Sequence, residues 1–343
     1  MNTEPLRIGI AGLGRMGQRH AEQLALRTRG ARLVAACSPN IDEHGWARAQ
    51  LGIGTGALYA DYAAMLRDPQ VQAVVIATPT TLHAEQTIAA LQAGKHVFVE
   101  KPLALDVATC ESVEAVARQH PELTAMVGFV RRFDAHYQEA KAQVDAGRVG
   151  KPFLVRSQTC DMNDPDGFFV RFAPTSGGIF LDCSVHDIDL ARWMLGNPKA
   201  LRAFATGTIA LHPGLADCGD VDNGLAIVEF EGGARAQFYA SRTLAHGHET
   251  STEVIGTAGS VSVGVGAHRD RVQSRDASGV HHRVLVDFVE RFADAFQREM
   301  AVFVAACQGE APSPLSLADA TEATRIGVAI TKSLRSGQVE GVV

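Results

Sequence analysis

The sequence predicts an α/β protein, with an N-terminal doubly wound parallel sheet followed by an α+β domain built on an open, largely antiparallel sheet. Three observations carry this expectation. A glycine-rich segment, Gly12-Leu13-Gly14-Arg15-Met16-Gly17, stands between an apolar run and an amphipathic stretch. Short apolar runs alternate with helix-like segments up to Met126, and beyond Arg131 strand-like runs separated by glycine turns take over. A chain of 343 residues is too long for one comfortable core, so two domains are expected. Their bounds are 1–128, a dinucleotide-binding domain, and 129–343, a domain for substrate binding and oligomerisation whose last helix, about 316–336, packs back on the first.

Leu6 to Ala11 reads as the first buried strand, and the polar run from Gln18 to Gln23 opens a helix, which puts the glycines at a strand-to-helix turn. Gly12 permits the tight turn, Gly14 lets the backbone approach a pyrophosphate, and Gly17 lets the helix pack on its strand, with the positive helix end facing the phosphates. Further apolar runs at 32–37, 73–78, 96–99 and 124–127 alternate with amphipathic stretches such as 82–93 and 107–120. This is a βαβ alternation with right-handed crossovers, the Rossmann arrangement. Ligands in such sheets bind outside the carboxyl ends of the strands. Thr78-Pro79, Glu100-Lys101-Pro102 and Gly128-Phe129-Val130-Arg131 each follow a strand, so they are expected to rim one crevice, with Lys101 bringing an ammonium to it.

The second half reads as a helix at 135–146, a turn at 147–152, and strands at 153–159, 200–210, 224–230, 234–242, 253–256 and 260–264. One helix interrupts them at 185–195, and two follow at 287–307 and 316–336. The charge-rich face of 287–299 reads as a surface face.

Bulk composition narrows the function classes. A net charge of −6 with no long Lys/Arg run argues against nucleic acid or a membrane surface, which leaves small molecules as partners. The six cysteines lie far apart without a C-x-x-C pair, so a reduced, buried set is expected and no metal. No apolar stretch reaches 18 residues, and a first strand at about Leu6 leaves no room for a signal segment, so the cytoplasm is the expected location.

Asp182 and His186 are four residues apart, one helical turn, so both project from one face if the helix has begun by Asp182. A carboxylate beside an imidazole is acid–base equipment, suited to moving a proton to and from a hydroxyl near neutrality. His246-x-His248 lacks a third metal ligand nearby, and polar contact with substrate is the better reading of His248. The end of the second strand should carry an acid about 20 residues past the glycines to hold the ribose of NAD. Ser38 stands there instead, followed by Pro39-Asn40. Arg15 is the one cation within reach of a 2′-phosphate, so NAD is favoured with NADP use open.

Gly12-x-Gly14-x-x-Gly17, Thr78-Pro79-x-x-x-His83, Glu100-Lys101-Pro102 and Gly177-Gly178-x-x-x-Asp182-x-x-x-His186-Asp187-x-Asp189 together resemble the Gfo/Idh/MocA oxidoreductases over nearly the whole chain. The resemblance implies Lys101, Asp182 and His186 as the catalytic set. It also implies that Thr78, Pro79, His83 and Glu100 lie along the cofactor with Ser38 and the glycine loop. The segment from Val127 to Asp134 is similar to that of the family's inositol-oxidising members, which implies Arg131 as a cyclitol contact. Oxidation of a ring hydroxyl of a cyclitol or sugar with NAD(P) is the expected activity, in a homodimer or homotetramer. A glycosidase of the same family and a non-catalytic cofactor-binding sensor are the alternatives.

Overall fold

The computed structural model describes residues 4–266 and 268–343 of the chain. It divides into two compact units, 1–130 with 294–322 and 131–293 with 323–343.

The first unit follows the predicted alternation: β1 Leu6–Ala11, α1 Arg15–Leu26, β2 Ala31–Cys37, α2 Ile41–Leu51, β3 Leu58–Tyr59, α3 Tyr62–Leu66, β4 Ala73–Ile76, α4 His83–Gln92, β5 His96–Glu100, α5 Val107–Ala117 and β6 Ala125–Gly128. The six strands order as β3-β2-β1-β4-β5-β6, and every neighbouring pair is parallel. All four residues of β4 are buried, and Val97, Phe98 and Val99 of β5 are fully buried, as expected of strands covered on both faces. The strand order reverses its direction of progression between β1 and β4, the switch point where such sheets bind ligands.

The starts of α2, α3 and α5 are set by side-chain caps. Asn40 accepts from the Asp42 N–H, Asp61 from Ala63 and Ala64, and Asp106 from Thr109. Helix α1 differs, because Gly14 stands at its N-cap and supplies no side chain.

The second unit contains α6 Ala135–Asp145, β7 Pro152–Met162, α7 Phe168–Ser176, α8 Ile179–Asp182, α9 Val185–Met194, β8 Ala200–Thr208, β9 Asn223–Phe230, β10 Arg235–Leu244, β11 Glu249–Gly256, β12 Gly259–Val263, β13 His268–Asp276, β14 Gly279–Val284 and α10 Phe288–Arg291. After α11 Ala293–Cys307 and α12 Leu317–Ser336, a short β15 Glu340–Gly341 completes its sheet, ordered β12-β11-β7-β10-β9-β8-β15. The sheet is mixed, since β7 and β10 pair in parallel while the other neighbours are antiparallel. A separate hairpin, β13–β14, lies where no strand was expected. Its residues are mostly charged or polar and exposed, so they lack the buried alternation by which a strand is recognised.

Two further expectations change. The helix expected over 287–307 breaks at Phe292, and most of α11 groups with the first unit rather than with residues 129 onward. The cause is its apolar stripe: Phe296, Met300, Phe303 and Val304 are buried, with the Phe303 ring 5.8 Å from that of Phe98 on β5. The face of 287–299 is also not wholly a surface face, because Glu299 is fully buried. Cys37, Cys110, Cys160 and Cys183 are buried while Cys218 and Cys307 are half-buried, and all six are free thiols. Among the described residues, no helix is long and apolar enough to cross a membrane.

Candidate active site

The glycine loop of the first unit is built by contact. Gly12 has φ +87, and a Cβ there would lie 2.6 Å from the Ala77 carbonyl oxygen, so β1 and the segment after β4 meet backbone to backbone. A Cβ on Gly17 would stand 1.9 Å from the Gly12 oxygen, which is how tightly α1 seats on the turn. Gly14 is the contrast, with nothing within 4 Å of an added Cβ and an exposed position at the uncapped start of α1. Arg15 and Met16 begin that helix, and Arg15 is exposed. Two glycines close the turn and the third leaves room beside a helix N-terminus, an arrangement that fits the pyrophosphate of a dinucleotide.

Ser38, at the end of β2, is buried, and its hydroxyl donates to Glu43 Oε2 while accepting from the Asn40 N–H at 3.1 Å. A carboxylate thus stands beside position 38, from the first turn of α2. Sequence spacing along the strand could not show it, because the acid arrives from the helix.

Thr78 Oγ1 donates to Gln86 Oε1 at 2.7 Å, and Pro79 is exposed. His83 is buried between two carbonyl oxygens, Nε2 at 2.8 Å from Thr78 O and Nδ1 at 2.8 Å from Pro102 O. Burial lowers its pKa against the pull of those carbonyls and of Glu100. Glu100 also turns inward, with Oε1 at 2.6 Å from His20 Nε2 and Oε2 accepting from the Lys101 N–H at 3.1 Å. Burial alone would raise its pKa; the His20 hydrogen bond and charge, with Lys101 and His83, outweigh this and hold the carboxyl below its ordinary value. His83 and Glu100 thus hold the loops after β4 and β5 from within. Lys101 is half-buried at the end of β5 and precedes a cis peptide bond to Pro102.

In the second unit, Asp182 ends α8 and His186 lies in the first turn of α9. The two helices are separate, yet Cys183 and Ser184 between them keep right-handed helical dihedrals (φ −89, ψ −55 and φ −75, ψ −10). The four-residue spacing therefore still sends both half-buried side chains to one side.

Arg242 on β10 donates from Nη2 to Asp182 Oδ2 at 2.8 Å, and from Nη1 to Asp220 Oδ2 at 3.3 Å. The Cys183 thiol lies 3.8 Å from Asp182 Oδ2 and 3.9 Å from Asp161 Oδ2. His248 is 1 % exposed, with Nδ1 at 2.9 Å from Asp161 Oδ1. Its imidazole serves the carboxylate of Asp161, whose side chain is 37 % exposed and is the part open to a ligand. Arg131 is buried, donating to Asp187 Oδ1 and to Thr159 Oγ1 at 2.7 Å each, and its guanidinium lies over the Phe292 ring. Arg132, also buried, forks onto both carboxylate oxygens of Asp189. Both arginines following β6 are thus held by the acids of the His186-Asp187-x-Asp189 segment. Sequence reasoning missed Arg242, Asp220 and Asp161 because their partners lie 22 to 87 positions away. Among the described residues, no cluster of three or more His, Cys, Asp or Glu side chains could hold a metal ion.

Two family models match the chain: the oxidoreductase family with NAD-binding Rossmann fold (GFO_IDH_MocA) over residues 6–129, and the GFO/IDH/MocA C-terminal domain over residues 137–262. The chain is 38% identical over 335 residues to the scyllo-inositol 2-dehydrogenase (NAD(+)) of Bacillus subtilis strain 168, covering 97% of this chain and 95% of that one. It is 32% identical to the myo-inositol 2-dehydrogenase of Thermotoga maritima, over 98% of this chain and 100% of that one. Among solved structures, it superposes on the scyllo-inositol dehydrogenase of Lactobacillus casei with bound NAD(H) and scyllo-inositol, at a TM-score of 0.94, 35% identity and 99% coverage of both chains.

Proposed function

The chain belongs to the Gfo/Idh/MocA oxidoreductase family, and from that premise we propose that it oxidises a secondary ring hydroxyl of a cyclitol of the myo- or scyllo-inositol kind to the ketone, using NAD. The observation that carries the reading is the Asp182–His186 pair, presented from one side of a near-helical joint in a chain that also has an NAD-binding Rossmann unit.

Bound NAD supplies the acceptor for the hydride leaving the carbinol carbon. His186, as the neutral imidazole, takes the hydroxyl proton. Lys101 sets a fixed positive charge against the oxyanion that develops, a preorganised electrostatic contribution. Asp182 accepts from a neighbouring hydroxyl and orients the imidazole. Asp161, positioned by His248, offers a further acceptor to the polyol. Arg131, engaged by Asp187 and Thr159, steadies the helix that carries His186 through Asp187 rather than reaching the ring.

A panel of cyclitols and aldoses with NAD and NADP, read at the reduced-nicotinamide absorbance, tests the reading. Cyclitol-dependent NAD reduction is the expected result. Lys101→Ala and His186→Ala should each lower kcat roughly 10²- to 10⁴-fold while NAD affinity stays within about twofold, because neither residue serves the pyrophosphate. Near-normal turnover in either variant removes that residue from the mechanism. Sugar release from a glycoside without net NADH would move the assignment to the glycosidase reading.

A further inference from the structure

We propose that Arg242 and Asp220 form a clamp that positions Asp182 in the active site, making Arg242 a positioning residue for the oxidation; the proposal rests on Asp182 being part of the catalytic set. Arg242 is 2 % exposed and lies on β10, a strand with no catalytic residue of its own. One nitrogen of its guanidinium donates to Asp182 and another to Asp220, which is itself 5 % exposed. The guanidinium sits 5.2 Å from the centre of the Phe169 ring, which excludes water from one face.

Burial works against the charge of Arg242, yet Cys183, Asp182 and Asp220 around it outweigh burial and push its pKa up. A buried guanidinium left without such partners would be strongly destabilising. The pairing therefore runs in both directions: Asp182 and Asp220 make the buried cation tolerable, and the cation fixes the carboxylate of Asp182.

The second arm of the clamp closes on the same short helix. Asp220 Oδ1 accepts from the Ile179 N–H at 3.0 Å, and a Cβ on Gly178 would meet that oxygen at 3.0 Å. Gly178 caps α8 with no side-chain hydrogen bond of its own. Asp220 thus holds the first turn of α8 while Arg242, tied to Asp220, holds its last residue. A four-residue helix has too few internal bonds to fix its own end. Two long-range contacts from the β9–β10 side fix it instead. The charged and titratable groups near this carboxylate include Arg242, Asp220 beyond it, and the Cys183 thiol, which also lies 3.9 Å from Asp161 Oδ2, with His186 one turn on.

The test is a double-mutant cycle on the full-length enzyme with NAD and the best cyclitol of the panel. Arg242→Gln should lower kcat roughly 10- to 100-fold, as expected for loss of a hydrogen bond to a charged group, with KM for NAD unchanged. Arg242→Lys should recover part of that loss by restoring the charge without the fork. In an Asp182→Asn background the Arg242→Gln change should cost less than about threefold, since a residue acting through Asp182 has nothing left to position. Losses that multiply in full would overturn the proposal. If Arg242→Gln does not fold, Arg242→Lys and Asp220→Asn carry the same cycle. A carboxyl-carbon NMR signal assigned to Asp182 should also move in Arg242→Lys. That measurement needs no substrate, so an unmoved signal rejects the clamp, whereas absence of cyclitol oxidation by the wild type rejects the substrate reading.

Discussion

Two carboxylates, Glu43 and Glu299, have roles at the residue scale that their positions in the sequence conceal. The NAD ribose site of a Rossmann unit uses an acid at the end of the second strand, because its charge accepts from the 2′-hydroxyl and repels a 2′-phosphate. Here Ser38 holds that place and hydrogen-bonds Glu43. Glu43→Gln should raise the use of NADP relative to NAD by about tenfold, equivalent to ~1.4 kcal/mol. Unchanged cofactor preference in steady-state assays would mean that another group reads the ribose. Glu299 is the opposite case, fully buried with no hydrogen-bond partner for either oxygen among the described residues. Burial, with a smaller contribution from Glu100, raises its pKa well above the ordinary 4.5. The native state therefore retains a proton that the unfolded chain releases as pH rises past about 4.5, so this group's contribution to stability falls as pH climbs through its folded pKa. Glu299→Gln removes the ionisation while keeping the shape. Its melting temperature should match the wild type near pH 4.5 and exceed it by about 1–2 °C near pH 8, the shift that ~1 kcal/mol makes in a chain of 343 residues. A gap that does not change with pH would place the ionisation elsewhere.

The parallel sheet was legible at the scale of elements because its strands are continuous apolar runs punctuated by turn residues, and Gly12, Gly14 and Gly17 fall where β1 meets α1. Three features escaped for physical reasons. The β13–β14 hairpin is two-sided and polar, so no period of two marks it. The parallel pairing of β7 with β10 depends on strand order, which local pattern does not encode. Helix α11 reads as part of the second domain in sequence, yet it supplies Phe303 to the Phe98 ring on β5. The Asp182–His186 spacing was readable because it is local, whereas the Arg242 clamp was not, because an arginine inside a strand reads as a solvent-facing position. The α11 docking predicts that Phe303→Ala, which empties a fully buried site, costs the first unit roughly 3–5 kcal/mol. Since β5 leads directly into Glu100 and Lys101, NADH affinity measured by fluorescence should fall together with the melting temperature. A stable variant with full affinity would mean that α11 is only loosely attached.

For the whole molecule, the second sheet poses the question of what covers its outer face. Strand β9 alternates strictly: Gly224, Ala226, Val228 and Phe230 face inward, while Leu225 and Ile227 are 45% and 53% exposed. Phe204 on β8, paired with Ile227, is exposed at 40% on the same face. The faces are thereby sorted, with Val228 and Phe238 in the core and Leu225 and Ile227 outside with the half-buried Tyr239. An apolar patch spread over adjacent strands of a soluble protein marks an interaction surface. We propose that a second copy of the chain covers it in a closed, symmetric dimer or a tetramer built from such dimers. A flat sheet face can supply the roughly 1,200–2,000 Å² of buried surface that a stable association requires. Light scattering at micromolar concentration should then give at least twice the monomer mass. Leu225→Lys with Ile227→Lys, which places charges at the centre of the patch while leaving the inward residues untouched, should shift the protein to monomer without loss of the folded circular-dichroism signal. A wild type that is strictly monomeric, or a double variant whose mass does not change, would require another occupant for this face.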